Sequence, residues 1–153
     1  MAFRFRLEKV LSVRRIREEE AHQRMAAARE RLARAQGDVD RLEARIAEAH
    51  QDLDGLKRRD ELSAEALHLH GLHVAGLRRE LARAREELAA AYREADEAHA
   101  RLLEAHRDRE ALERLRAREE RQWERDQARR ESRRLDEVAL TRHRSREEEN
   151  HGP

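Results

Sequence analysis

Cysteine is absent from this 153-residue chain, which excludes disulfides, thiolate metal sites and cysteine nucleophiles. Proline occurs once, at the last position, and glycine five times, so few residues are present that end helices or shape loops. Aromatic residues make up 3%, and there are only five Val and two Ile. A sheet needs such residues to pack its pleated surface, and they are too scarce here. Nor does charge of one sign prevail: 35 basic and 34 acidic side chains leave a formal net charge of +1. A nucleic-acid binder carries a basic excess on one face, and the totals reveal none. No apolar run approaches the ~20 residues of a membrane span. The opening MAFRFRLEKVL scatters charges where a signal peptide has an apolar core. A soluble cytoplasmic chain is expected.

What remains is helix-forming. The chain is 45% charged and 38% apolar, its apolar residues being mainly 26 Ala and 19 Leu, and its basic residues are 33 Arg against two Lys. Ala, Leu, Glu and Arg all favour helix. Steps of three and four from Met25 pass through Ala28, Leu32, Ala35, Val39, Leu42, Ile46, Ala49, Leu53 and Leu56, all apolar. A second walk gives Leu77, Leu81, Ala84, Leu88, Ala91, Ala95, Ala98, Leu102 and Ala105, again without a miss. A stripe two residues wide in seven is the narrow seam of a coiled coil, not the broader face of a globular bundle helix. The expected fold is all-α, a long antiparallel two-helix coiled-coil hairpin.

Between the seams lie Gly55, Ser63, Gly71 and Gly76, with the run LHLHGLHVAG. Each glycine costs a helix about 1 kcal/mol against Ala. The spacing of Gly71 and Gly76 therefore predicts a turn at 69–76, with helix one over about 4–68 and helix two over about 77–141. Residues 1–141 then form a single hairpin whose arms, roughly 65 residues each, would span about 100 Å. That fold sets Met25 opposite Trp123 and Leu7 opposite Leu135–Ala139. Two chains zipped in parallel along one continuous helix are the competing arrangement, against which the midpoint glycines argue.

Both seams decay outward. Continuing them puts Leu11 and Leu7, but also Arg14 and Glu18, in the first, and Arg109, Leu112, Arg116, Glu119 and Trp123 in the second. From Leu115 to Leu135 the only intervening apolar residues are Ala117, Trp123 and Ala128, so that stretch buries little by itself. Glu–Arg pairs at helical spacing hold such a segment at about 0.2–0.5 kcal/mol each, unless it awaits a partner. The final residues, 142–153, read as a disordered tail.

Three landmarks carry a likeness to a known family. They are Phe3-x-Phe5-x-Leu7-Glu8-x-Val10-Leu11-x-x-Arg14, then Ala111-Leu112-Glu113-x-Leu115, then Leu135-Asp136-Glu137-x-Ala139. In this order and spacing, over nearly the whole chain, they resemble the flagellar export protein FliJ family. The resemblance implies a non-enzymatic component of the type III export apparatus, a coiled coil similar to the gamma stalk of rotary ATPases. It implies as partners the hexameric export ATPase at one end, the export gate protein FlhA at the other, and export chaperones, with location at the cytoplasmic face of the inner membrane. No cofactor, metal or nucleic acid is implied. Carried onto this chain, the ATPase end comprises Phe3, Phe5, Leu7, Val10, Leu11, Leu135, Asp136 and Glu137, and the gate end Leu69, Leu72, Val74 and Leu77. Where many members have aromatics near the turn, this chain has leucines, Val74 and histidines.

Each candidate has a plainer reading. Phe3, Leu7, Val10 and Leu11 share a helical face that either packs on Leu135, Val138 and Ala139 of the returning arm or enters the ATPase ring. Asp136 and Glu137 stand among Arg129, Arg130, Arg133 and Arg134; acid–base catalysis needs a desolvated cleft, so they read as an ion-pair face or a recognition site. Trp123 either fills the seam opposite Met25 or anchors a partner. His68, His70 and His73 have metal-like spacing but no further ligand on a rigid scaffold, and an ordinary polar turn is expected. No phosphate-binding glycine loop or nucleophile motif is present. A purely structural coiled coil, or the stalk of a virulence-type secretion system, is the alternative function.

Overall fold

A computed structural model describes residues 2–150 and 152. Two helices account for almost all of it: α1 (Glu8–Arg58, 51 residues) and α2 (Ala64–Asn150, 87 residues). No strand occurs among the described residues. Glu8 and Glu65 stand in the first turns, and Lys57 and Arg58 in the last turn of α1, each complementing the helix dipole. The result is an all-α helical hairpin.

The turn comes earlier than the glycines predict, at residues 59–63. Asp60 takes the left-handed conformation at φ 55°. The Glu61 N–H donates to the Leu56 carbonyl at 3.0 Å and the Asp60 N–H to that of Lys57 at 3.2 Å. This pair of bonds is a Schellman motif, which satisfies the last carbonyls of α1. Two residues later Ser63 caps α2, its Oγ accepting the Ala66 N–H at 3.0 Å. Gly71 and Gly76 instead lie inside α2 with ordinary helical backbone. A glycine permits a turn but does not create one, whereas Asp60 and Ser63 supply the bonds that close it. Helix one therefore ends at Arg58 rather than near 68, and helix two starts at Ala64 rather than 77.

At the other end α2 continues to Asn150, where a tail from 142 was expected. Thr141 and Ser145 bond back to the carbonyls of Glu137 and Thr141, and His143 stands 3.4 Å from Glu147 at i,i+4. Good helix formers and such local pairs sustain an exposed helix. Of the expected tail, His151 and Pro153 lie outside the described residues, as does Met1 of the expected hairpin.

The chain forms two compact units. The central unit spans Arg17–His106 and contains the turn. Its core is Val39, Leu42, Leu77, Leu81 and Ala84, flanked by Ile46 and Leu88. All ten residues of the first seam and all nine of the second are buried or half-buried. Fully burying a Leu or Val contributes about 1.5–3 kcal/mol. Elsewhere the seam is built of small residues such as Ala28, Ala49, Ala91 and Ala95. Interhelical pairs Arg31–Glu94 (2.7 Å) and Arg85–Glu43 (2.8 Å) flank it and run antiparallel.

The terminal unit joins the residues up to Ile16 with those from Arg107 onward. Here too the helices are antiparallel: Arg14 meets Asp108 at 3.1 Å, Arg15 meets Glu113 at 3.2 Å, and Glu8 meets Arg116 at 3.4 Å. Because the turn is earlier, the facing residues shift. Trp123 stands opposite Phe3 rather than Met25, and Leu7 does not reach Leu135–Ala139.

Candidate partner-binding surfaces

In the terminal unit the chain enters α1 through a turn in which the Glu8 N–H donates to the Phe5 carbonyl at 3.2 Å. Phe5 and Leu11 are buried, Leu11 completely. Phe3 and Leu7 are half-buried, and the Phe3 ring lies 6.2 Å from that of Trp123, tilted by 53°. This is ordinary aromatic packing. Of the expected ATPase-end residues, Val10, Leu135, Asp136 and Glu137 are exposed. The N-terminal apolar face does not pack on Leu135, Val138 and Ala139, all of which are exposed. The reason is register: α2 passes Phe3 at Trp123, so residues beyond have no opposing α1.

Sequence reading missed Val13 and Ile16, exposed at 47% and 59%. Both fall off the seam steps that run back through Leu11 to Leu7, and that displacement was the signal available for them. Leu140, exposed at 60%, was missed likewise.

In the central unit the expected gate-end residues separate. Val74 and Leu77 are buried in the seam, while Leu69 and Leu72 are exposed at 57% and 58%. Leu67 is half exposed beside them in sequence. Leu69, Leu72 and Gly76 recur at helical spacing, placing two leucines and a bare stretch of backbone on one face of α2. His70 packs its ring 5.4 Å from that of His50, and an open groove holds Arg45, Glu48, Asp52, His70 and His73. Among the described residues no three His, Cys, Asp or Glu converge on a point that could hold a metal ion. Nor is any helix there long and apolar enough to cross a membrane.

The seams are closed, and several large apolar side chains stay on outer faces. The profile of the family described as Flagellar FliJ protein matches residues 3–148. The chain belongs to the FliJ family. At the level of the family, this makes it a component of flagellar or related type III export. Its fold resembles that of CT670 from Chlamydia trachomatis, described as a YscO homolog, with a TM-score of 0.74. The two are 18% identical, and the likeness covers 96% of this chain and 99% of the other. No curated protein matches the FliJ-family chain significantly.

Proposed function

We propose that this FliJ-family chain is a non-enzymatic stalk linking the export ATPase hexamer to the export gate protein FlhA. In this reading it also assists delivery of export chaperones and their cargo, working at the cytoplasmic face of the inner membrane. The terminal unit, with Phe3, Phe5, Leu7, Val10, Leu11 and Leu135–Glu137, engages the ATPase. The start of α2, with Leu69, Leu72, Val74 and Leu77, engages the gate, the two exposed leucines making contact while Val74 and Leu77 hold the helix beneath them.

The observation that carries this reading is that both units seal their own seams yet leave large apolar residues outside. Isolated exposed leucines are commonplace, but apolar side chains repeated along one helical face mark interaction surfaces. Pull-downs with the purified ATPase hexamer and with the soluble domain of the gate test the two contacts separately. Leu69→Ser with Leu72→Ser should abolish gate capture and leave ATPase capture intact; loss of neither overturns the assignment of the gate surface.

A stalk in a virulence-type secretion system is the second reading, favoured by the fold likeness to a YscO homolog. Capture of a virulence-type ATPase in preference to a flagellar one would decide for it.

A further inference from the structure

The near-zero net charge of the chain conceals an uneven division. The terminal unit holds 19 basic and 14 acidic side chains, a net +5, while the central unit holds 16 and 20, a net −4. Within the terminal unit the excess gathers at the start of the chain. Residues 2–16 carry Arg4, Arg6, Lys9, Arg14 and Arg15 against Glu8 alone. Arg14 and Arg15 are matched by Asp108 and Glu113, and Glu8 by Arg116. Arg4, Arg6 and Lys9 are exposed and have no ion-pair partner among the described residues.

Lys9 borders an apolar strip, and Arg4 and Arg6 lie in the segment that leads into it. Lys9, Val13 and Ile16 are spaced i, i+4, i+7 and share one face of α1, turned away from Leu7 and Leu11 of the seam. Val13 and Ile16 on this face are 47% and 59% exposed, and Val10 on the adjoining flank is 41% exposed. An apolar centre with a charged rim is the anatomy of a protein–protein interface, and the sign of the rim selects the partner.

From this we infer that the Lys9–Ile16 face of α1, together with Arg4 and Arg6, docks onto an acidic protein surface whose carboxylates surround an apolar depression. The inference rests on the terminal unit being the ATPase-facing one, and it names the chemistry of that contact. An anionic membrane is the rival for a basic, partly apolar helix, but membrane-surface helices commit bulky Phe, Trp or Leu to their apolar face. Here Phe5 is buried and Phe3 packs on Trp123, which leaves three short aliphatic side chains outside.

The test measures binding of the full chain to purified export ATPase hexamer between 50 and 500 mM salt. Two variants are compared with it: Arg4→Glu/Arg6→Glu/Lys9→Glu, and Val13→Ser/Ile16→Ser. All substituted side chains are exposed, and circular dichroism checks that helicity is kept. The natural chain should bind more weakly as salt rises. Charge reversal should weaken low-salt binding by about tenfold or more and flatten the salt dependence, and the serine variant should weaken binding at every salt. Binding that ignores both salt and charge reversal overturns the acidic surface while leaving the ATPase contact standing. No binding of the natural chain at any salt overturns the ATPase contact and this inference with it. Binding to vesicles of 3:1 phosphatidylcholine and phosphatidylglycerol that is lost on charge reversal, with the hexamer unaffected, overturns it in favour of lipid.

Discussion

Nδ1 of His106 lies 3.0 Å from Oε1 of Glu18, a buried carboxylate sitting in the seam between Leu11 and Met25. The same oxygen is 3.9 Å from Nε2 of His22. A polar group at a seam position lowers stability against an apolar one but admits fewer pairings of the two helices. Here it ties α1 to α2 inside the central unit at one register.

Removing that carboxylate separates the two effects. Glu18→Ala removes the partner of two exposed rings, His106 and His22, and should destabilise the fold by about 0.5–1.5 kcal/mol. Glu18→Leu fills the space with apolar surface and should match or exceed the natural chain. Urea unfolding followed by circular dichroism measures both; a Leu variant much weaker than the Ala variant contradicts the argument.

The turn makes a second prediction. Ser63→Ala removes the hydroxyl that accepts the Ala66 N–H and should cost about 1 kcal/mol. Asp60→Gly relieves a side chain held at φ 55° and should raise the melting temperature, since glycine adopts this conformation without steric cost. A fall in melting temperature for Asp60→Gly would place the bend elsewhere.

Gly71 and Gly76 provide the converse. A methyl group added at Gly71 meets nothing within 4 Å, and one at Gly76 meets only the Arg79 guanidinium at 4.0 Å. Both glycines are helical, so Gly71→Ala and Gly76→Ala should each stabilise by about 0.5–1 kcal/mol. Destabilisation by either would restore the turn to the glycine-rich run.

Trp123 reports on the terminal unit through its fluorescence. Packed beside Phe3 and half-buried, its indole should emit to the blue of a fully hydrated tryptophan. Phe3→Ala should move the emission to the red. An unchanged spectrum means the two rings do not meet in solution.

The seams were legible in the sequence because apolar spacing alone determines which helical face is hidden, and Val39, Leu42, Leu77 and Leu81 sit where that spacing puts them. The turn was not, because glycine is visible as a helix breaker while the Asp60 and Ser63 bonds emerge only from backbone geometry. That displacement carried through to every opposing pair, moving Trp123 from Met25 to Phe3. Phe3, Phe5, Leu69 and Leu72 were singled out on family likeness, but which of them face solvent depends on register. The charge division was hidden too, since only the fold says which distant segments belong to one unit.

From Ala128 to Asn150 every residue of α2 is exposed. Nothing in the hairpin leans on this stretch, so a change there carries almost no folding penalty beyond its own helix propensity. Its positions answer to whatever they touch in the assembled machine and not to the protein's own architecture.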